Sequence, residues 1–373
     1  MKNQEYNYWI SSIPNIGPKK IELLLNTFGT AEEVFKASGS ALKTVIECAK
    51  SDQTVRFMQS DLDAILHSKD KNRIHMEFSR LTERGIRFIS KEEEEYPDKL
   101  RQIYNAPYAI FVKGKLPRKD QKVIAIVGAR ECSAYGTEIT RYMAKSLASE
   151  GVVILSGMAR GIDSYAHNGA LEAGGITLAV LGCGIDICYP KENIKLYMEI
   201  QKEGAIISEY APGIQPFAGN FPMRNRIISA LSDGILVIEA KKKSGSLITV
   251  DMGLEQGKEI YAIPGRICDI LSSGCNNLIK MGAKPVTTPM DILEDLFPDG
   301  YRNPAEAIAK TQIPLSKGEK KVFDCLNLEP KYIEVISDQT DIPMMELMEI
   351  LVKLELRGLI RQTIRNHYIQ NLQ

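Results

Sequence analysis

VIAIVGAR, residues 123–130, begins a series of six apolar runs between Val123 and Pro264, each of which ends in small or polar residues. Most of these runs are followed by a helical pattern. Near-continuous apolar strands that alternate with helices are typical of a parallel sheet covered by helices on both faces. The pattern therefore predicts an α/β fold with a doubly wound, mostly parallel sheet. The predicted strands are 123–127, 152–156, 177–181, 205–208, 235–238 and 259–263, and the predicted helices include 137–149, 161–173, 192–202 and 247–256.

A small helical, SAM-like unit is predicted before the sheet, in residues 1–85. Within it, residues 13–29 resemble a helix-hairpin-helix, with Gly17 able to make the tight turn. The free amides of such a turn, next to Lys19 and Lys20, suit nucleic-acid phosphates. The same hairpin could instead only pack small helices together, and the sequence leaves both interpretations open.

A second small unit is predicted after the sheet domain. The sheet domain covers residues from about 86 to 300, and the polar residues 301–316 are predicted to be a linker. In residues 317–373, three helical patterns are followed by an alternating tail, an order that matches a winged helix. The helical patterns cover 319–325, 332–339 and 344–357, and the tail covers 359–370.

The third helix of this winged-helix unit carries mixed charge. In DNA-binding winged helices the third helix often contacts DNA. Here it carries Glu346, Glu349 and Glu355 against Lys353 and Arg357. Because acidic side chains repel phosphate, we expect the unit to bind a protein or to bind DNA weakly.

The bulk composition limits the possible classes of function. The chain has 47 basic and 47 acidic residues, so any anion binding must come from local clustering. The N-terminus lacks the apolar core of a signal peptide, and no apolar run approaches the roughly 20 residues of a membrane span. The seven cysteines include no CxxC pair, which suits reduced thiols and no zinc site. We therefore expect a cytoplasmic protein with no membrane segment, no metal and no cofactor.

Two common phosphate-binding motifs are absent from the glycine-rich ends of the predicted strands. Gly128-Ala129-Arg130 follows the first strand without the GxGxxG spacing, and Ser156-Gly157 ends the second strand where a dinucleotide site would place an acidic residue. No GxxxxGK[ST] segment exists, which excludes a P-loop.

A nucleotide or nucleoside-phosphate hydrolase is an alternative that uses acidic residues near the strand ends. Such an enzyme could pair two of them as general acid and base. No spacing forces any two together, and His167, one helical turn after Asp163, is more simply a structural histidine. The candidates are Asp163, His167, Glu209, Glu239, Asp251 and Glu255.

Three basic segments at the same predicted edge favour a nucleic-acid backbone. Arg130 directly follows the first strand, and FPMRNRIIS (residues 221–229) starts a helix whose free amides could face an anion together with Arg224 and Asn225. Arg224 and Arg226 are two residues apart and cannot point the same way, so one of them could be paired with an acidic neighbour. The third segment is KKKSGS (residues 241–246), with Lys241, Lys242 and, further along, Thr249 as candidates.

Spread-out basic segments suit an extended polyanion better than a mononucleotide, and single strands also need stacking surfaces. Tyr189, Phe217, Phe221 and the planar guanidinium of Arg130 could provide them.

Residues 123–282 resemble the DprA (Smf) family of bacterial DNA-processing proteins. The resemblance rests on ordered motifs: IVGAR (126–130), SGMARGID (156–163), LGCGID (181–186), YP (189–190), FPxRNRIIS (221–229), SGSLIT (244–249) and GCNxLI (274–279). It implies an extended Rossmann-like domain that dimerises and has no catalytic activity. It also implies that the protein binds incoming single-stranded DNA in natural transformation and loads the RecA recombinase onto it.

The same resemblance implies which residues contact DNA. These are Arg130, the Ser156-Gly157 loop, Lys191 after Tyr189-Pro190, and Arg224, Asn225 and Arg226. Phe221, Lys241, Lys242 and Thr249 are candidates from the charge and stacking arguments. The expected partners are single-stranded DNA, RecA and a second copy of the chain, with no membrane.

Overall fold

The computed structural model describes residues 1–49, 55–298, 315–327 and 329–370 of the 373-residue chain. The predicted linker, residues 301–316, lies outside this part of the chain except for Leu315 and Ser316. Within the described ranges, none of the helices combines the length and the apolar character that a membrane span requires.

The N-terminal unit is a set of helices packed around buried apolar residues that include Trp9, Ile10 and Leu24. This apolar cluster continues into the first two strands of the sheet through Phe88 and Phe111, so the unit has no separate core. The helices are α1 (Asn3–Ser12), α2 (Pro18–Phe28), α3 (Ala31–Lys36), α4 (Gly39–Ala49), α5 (Gln59–His67) and α6 (Lys71–Glu83).

The hairpin between α1 and α2 differs from the prediction in its turn. Gly17 has a φ of −82°, whereas Asn15 adopts the left-handed conformation with a φ of 63°. Lys20 Nζ donates to the buried carboxylate of Asp61 at 2.7 Å, and Lys19 Nζ contacts the hydroxyl of Tyr104. Since both lysines are engaged within the chain, the geometry favours a packing role for the hairpin.

The described residues form a nine-stranded sheet in the order β1-β2-β6-β5-β4-β3-β7-β8-β9. From β6 to β9 all neighbours are parallel, which confirms the doubly wound, mostly parallel prediction. The six predicted strands agree with β3 to β8 within one residue at each end. The strands are β1 (Ile86–Ser90), β2 (Ala109–Gly114), β3 (Val123–Val127), β4 (Val153–Ser156), β5 (Thr177–Leu181), β6 (Ala205–Ser208), β7 (Gly234–Val237), β8 (Glu259–Ala262) and β9 (Lys284–Pro285).

The antiparallel edge made by β1 and β2 was not among the predicted strands. β2 pairs with β6, with Phe111 opposite Ser208, and β1 pairs with β2, with Phe88 opposite Phe111. This edge extends the Rossmann-like sheet toward the N-terminal helices, whose apolar cluster it shares.

Helices cover both faces of the sheet. One face packs Ile124 and Ile154 against helices that include α8 and α9, and the other packs Ala125 and Leu155 against helices that include α11 and α12. The chain runs outward from β3 to β6 and then returns to the other side of β3 as β7. The topological switch point therefore lies between β3 and β7. The helices of this domain are α7 (Asp98–Arg101), α8 (Ala134–Ser149), α9 (Ile162–Glu172), α10 (Ile194–Glu203), α11 (Asn220–Leu231), α12 (Ser246–Glu255), α13 (Ser273–Lys280) and α14 (Met290–Leu296).

The C-terminal unit has the predicted winged-helix order. Its own apolar core includes Val322, Ile336, Leu347 and Leu351. Its three strands pair in the order β10-β12-β11. The elements are α15 (Lys317–Cys325), β10 (Lys331–Tyr332), α16 (Ile333–Thr340), α17 (Met344–Leu356), β11 (Ile360–Ile364) and β12 (His367–Gln370).

Candidate nucleic-acid interface

A cavity of about 630 Å³ opens at the carboxyl ends of β3 and β7 and is bordered by the first turns of α11 and α12. Ligands of doubly wound sheets bind at this switch point. We call this cavity the crevice. Its lining includes Gly128, Ala129, Arg130, Glu131, Asp163, Tyr189, Phe221, Arg224, Asn225, Lys241, Lys243, Ser246, Thr249 and Leu271.

The loop that carries Arg130 is held rigidly by its neighbours. The Ala129 N–H donates to the carbonyl of Glu239 at 2.8 Å, and the Ala129 carbonyl accepts from the N–H of Ile162 at 3.2 Å. A Cβ on Gly128 would lie 2.7 Å from Ile162 Cγ1, so this approach requires glycine. Arg130 itself is exposed at the rim of the crevice. Its guanidinium forms no ion pair or hydrogen bond with the described residues and is available to an anion.

Asp163 organises the loop after β4. Its carboxylate accepts from the N–H of Gly157 at 3.1 Å and from that of Ala159 at 3.3 Å. Burial raises the pKa of Asp163, and the nearby charge of Arg224 opposes that shift. Ser156, the last residue of β4, is buried, and its hydroxyl donates to the carbonyl of Ile126 at 2.7 Å. Ser156 and Gly157, both candidate DNA contacts, therefore lie outside the lining of the crevice and support the loop behind it.

Arg224 forms the floor of the crevice. Its side chain is buried, and Nη1 donates to the carbonyl of Gly157 at 2.8 Å and also to the carbonyl of Val180. A Cβ on Gly157 would lie 2.6 Å from Arg224 Nη2. Burial lowers the pKa of Arg224, and the charge of Asp163 opposes that shift. Arg224 thus ties α11 to the ends of β4 and β5.

Arg226, a candidate DNA contact, points away from the crevice that Arg224 lines, and the two-residue spacing had predicted that the two side chains point apart. Its Nη2 donates to the carboxylate of Glu209 at 2.6 Å, and both side chains are almost fully buried. Arg226 is therefore the member of the pair that has an acidic neighbour, and it fastens α11 to the end of β6 rather than lining the cavity.

Two helix N-termini lie at the crevice. α11 follows Gly219 and α12 follows Gly245, and neither glycine supplies a side-chain cap. The N–H of Ser246 donates to Ser244 Oγ at 3.4 Å, and the N–H of Asn220 donates to the carbonyl of Phe217 at 2.9 Å, so the first amides are partly engaged. The dipole of each helix still favours an anion at this end. The buried Thr249, in the first turns of α12, also lines the crevice.

The three lysines of residues 241–243 do not all face the crevice. Lys241 and Lys243 are exposed and line it, whereas Lys242 and Lys191 are exposed and lie outside the lining. Neither Lys241 nor Lys243 forms an ion pair in the described part of the chain. Together with Arg130 they place three available positive charges on the rim.

An aromatic pair lies at one side of the crevice. The ring centroids of Tyr189 and Phe221 are 5.5 Å apart with an interplanar angle of 36°. A Cβ on Gly182 would lie 2.8 Å from Phe221 Cδ1, so the pair needs a glycine beneath it. Tyr189 is exposed, as a stacking surface for a base must be. Phe217 is exposed outside the lining.

Some lining residues gave no recognisable signal in the sequence. Glu131 adds an acidic group beside Arg130, and Leu271 comes from a segment remote in sequence. The carbonyl of Leu271 accepts from the N–H of Ala240 at 2.7 Å, a contact that only folding creates.

Several of the acid–base candidates have structural partners. The carboxylate of Glu239 accepts from the N–H of Ser133 at 2.9 Å and from its hydroxyl at 2.5 Å. Glu209 is bound to Arg226, and Asp163 is bound to loop amides. The Nδ1 of His167 lies 2.7 Å from Thr177 Oγ1, its buried Nε2 has no hydrogen-bond partner among the described residues, and burial lowers the pKa of His167 to about 3, so the geometry favours a structural histidine. Among the described residues, no group of three or more His, Cys, Asp or Glu side chains could hold a metal ion.

Fold and site define an α/β protein with a basic, aromatic-flanked crevice at the switch point of its sheet. The sequence profile described as "DNA recombination-mediator protein A" matches residues 87–297, more than half of the chain. The profile described as "DprA winged helix domain" matches residues 306–363. The chain therefore belongs to the DNA recombination-mediator protein A family, known as DprA or Smf.

Several relatives carry that family name. The DNA processing protein DprA of Streptococcus pneumoniae is 46% identical over 200 residues, which cover 54% of this chain and 71% of the relative. Protein Smf of Escherichia coli is 39% identical over 279 residues, covering 73% of this chain and 74% of the relative.

Two solved structures of relatives resemble the chain. The X-ray structure of DprA from S. pneumoniae has a TM-score of 0.65 and 35% identity, and the match covers 79% of this chain and 98% of that one. A DprA structure from Helicobacter pylori, which concerns single-stranded DNA binding, has a TM-score of 0.51 and 29% identity, covering 58% of this chain and 98% of that one.

Proposed function

We propose that this protein binds single-stranded DNA in the crevice and delivers the strand to a recombinase. The observation that carries the proposal is the convergence of Arg130, Lys241 and Lys243 with the N-terminal turns of α11 and α12 at the switch point. Cations and helix N-termini spaced along one edge fit successive phosphates of a strand.

The aromatic pair favours a single strand over a duplex. In a duplex the base faces are stacked on each other, whereas an unpaired base can stack on Tyr189 and Phe221 beside the rim charges. The related DprA of H. pylori likewise binds single-stranded DNA. Arg224 takes part indirectly, because its buried guanidinium holds the Gly157 loop in place.

Recombinase loading is the finer part of the proposal. Membership of a family of recombination mediators supports delivery of the strand to RecA, in natural transformation or in general recombination. We include a homodimer through the Rossmann-like domain, a cytoplasmic location and the absence of catalysis. The absence of catalysis is supported by the structural contacts of Asp163, Glu209 and Glu239.

The proposal is tested by fluorescence anisotropy of a labelled oligo-dT strand and a matched duplex across a salt series. We expect the strand to bind more tightly, with log K falling by about 0.7 per phosphate contact against log salt. Arg130→Glu should weaken binding about 10- to 100-fold, because a hydrogen bond to a charged group contributes about 1.5–3 kcal/mol. Arg118→Glu, an exposed arginine paired with Asp120, is the matched control and should bind normally.

Two outcomes would contradict the proposal. If Arg130→Glu and Arg118→Glu bind the strand equally well, the DNA does not bind in the crevice. Absence of binding to either nucleic acid, together with turnover of a nucleotide that Glu239→Gln abolishes, would support the hydrolase alternative. For recombinase delivery, the readout is RecA filament formation on a strand already covered by a single-strand-binding protein, with wild type expected to accelerate it and Arg130→Glu not.

A further inference from the structure

Arg130 lies in a short connection between β3 and α8 that has little support of its own. Arg130 and Glu131 are exposed, and in the described part of the chain the backbone of neither residue forms a hydrogen bond. The position of the Arg130 guanidinium therefore depends on how the two ends of the connection are held. We call residues 129–133 the Arg130 loop.

One residue just after β7, Glu239, holds both ends of the Arg130 loop. Its main-chain carbonyl accepts from the N–H of Ala129 at 2.8 Å. Its carboxylate accepts from the N–H of Ser133 at 2.9 Å and from the Ser133 hydroxyl at 2.5 Å. Glu239 is only 4% exposed. The first and the last residue of the loop are thus fixed to the same buried point.

The packing around the Glu239 carboxylate leaves it little choice of position. A Cβ on Gly136, in the first turn of α8, would lie 2.3 Å from Glu239 Oε2. The Ser133 hydroxyl that donates to Glu239 also accepts from the N–H of Gly136 at 2.9 Å and so caps α8. The carboxylate therefore joins the end of the Arg130 loop to the start of a helix. Its two hydrogen bonds to Ser133 offset part of the cost of burying it.

The sign of the Glu239 charge argues against a direct contact between this residue and DNA. A carboxylate repels phosphate, so charge alone would make its removal strengthen the binding of a strand. Glu239 also does not line the crevice. It can therefore act on a bound strand only through the residues that it holds.

We propose that Glu239 is a positioning residue for strand binding: its carboxylate holds Ser133 and thereby presents Arg130 to a phosphate at the rim of the crevice. The inference rests on the proposed binding of single-stranded DNA. Without the carboxylate, the main-chain bond to Ala129 remains, whereas the Ser133 end of the Arg130 loop is released. The strand then has to order the loop itself, and this loss of conformational freedom weakens binding.

The first test measures fluorescence anisotropy of a labelled oligo-dT strand across a salt series. Glu239→Ala should weaken binding about tenfold, because the strand must now order the loop residues. The slope of log K against log salt should become shallower by about 0.7, the value for one phosphate contact. A loss of folded protein alone would leave that slope unchanged.

Two further variants separate the hydrogen bonds of Glu239 from its charge. Glu239→Gln should bind within about twofold of wild type, because its amide oxygen can accept from the Ser133 N–H while its amide group donates to the Ser133 hydroxyl. Glu131→Gln is the matched control, since it removes an exposed carboxylate from the same loop. This control should strengthen binding, whereas Glu239→Ala should weaken it.

A double-mutant cycle with Arg130 tests whether Glu239 acts through that side chain. In an Arg130→Gln background, Glu239→Ala should cause no further loss of affinity, because the contact that it positions is already gone. Ser133→Ala removes the hydroxyl partner and should show the same dependence on Arg130 with a smaller loss. This variant tests the inference even where Glu239→Ala does not fold, and circular dichroism melting monitors folding.

Three results would overturn the inference. One is a loss of affinity in Glu239→Ala that is equally large in the Arg130→Gln background. Another is a gain of affinity in Glu239→Ala like that of Glu131→Gln, which would make the effect of Glu239 purely one of charge. The third is a loss in Glu239→Gln as large as that in Glu239→Ala.

Failure of the inference is distinguishable from failure of the proposed function. If Arg130→Gln weakens strand binding and Glu239→Ala does not, only the positioning role of Glu239 fails. If Arg130→Gln itself binds the strand as wild type does, the proposed binding site and the inference fail together.

Discussion

The crevice and α17 carry different chemistry on their surfaces, although the sequence offers a DNA-binding interpretation for both. In the crevice, the buried side chains of Asp163 and Arg224 each bond the backbone at Gly157, and the cations of Arg130, Lys241 and Lys243 remain available on the rim. On α17 the opposite holds, because Lys353 is paired with Glu349 while apolar side chains face solvent. The available groups, rather than the motif that presents them, indicate the partner.

The largest expected effect comes from the floor of the crevice. Arg224→Met removes the donor of the Gly157 and Val180 carbonyls and leaves Asp163 buried without its nearby positive charge. We expect the free energy of unfolding to fall by about 3 kcal/mol or more. Urea denaturation measures it, with Arg118→Met as an exposed control expected within about 0.5 kcal/mol of wild type. A small effect would mean that the floor of the crevice tolerates a buried carboxylate without a nearby positive charge.

A matched pair of glycines tests how closely the crevice is packed. The Cβ of Gly157→Ala would meet the guanidinium of Arg224 at 2.6 Å, whereas nothing lies within 4 Å of a Cβ at Gly245. Overpacking of a core typically costs about 1–3 kcal/mol, so Gly157→Ala should lose that much stability and Gly245→Ala very little. Thermal and urea unfolding of both variants give the comparison. Equal losses would show that the Gly157 loop moves freely.

A third prediction concerns pH. Burial lowers the pKa of His167 to about 3 in the folded chain, while an unfolded imidazole titrates near about 6.5. Below about pH 6.5 the unfolded chain takes up a proton that the folded chain excludes. The stability that neutral His167 provides is therefore complete above that pH and is lost on acidification toward pH 3.

The expected slope from this one group is about 1.4 kcal/mol per pH unit. Urea denaturation between pH 7.5 and 4.5 should show a shallower slope for His167→Gln than for wild type. If the free energy of unfolding depends on pH equally in the two proteins, His167 takes up its proton in the folded chain as readily as in the unfolded chain.

The smallest expected effect on stability comes from two exposed apolar side chains of α17. Met345 and Leu356 are almost fully exposed, so Met345→Glu and Leu356→Glu should change the free energy of unfolding by less than about 0.5 kcal/mol. The measurement is urea denaturation. A large loss would place these side chains in the core of the winged-helix unit and remove the contrast with the crevice.

Much of the fold and part of the site could be predicted from local sequence. The apolar runs of β3 to β8 were located within one residue, because a strand buried on both faces is apolar throughout. The two-residue spacing of Arg224 and Arg226 correctly indicated that they point apart, since helix geometry sets that angle. The spacing did not indicate which of the two faces the crevice.

What the sequence by itself determined is the set of elements, their alternation and the motifs at the strand ends. These depend on the period of the apolar residues and on backbone preferences that act between near neighbours in the chain. The tertiary structure alone decided that Asn15 rather than Gly17 makes the hairpin turn, that β1 and β2 add an antiparallel edge, and that Arg226 is fastened to Glu209 while Arg224 lies under Gly157. The physical reason is that each of these outcomes depends on a partner distant in sequence, whose position exists only after the sheet and its helices have packed.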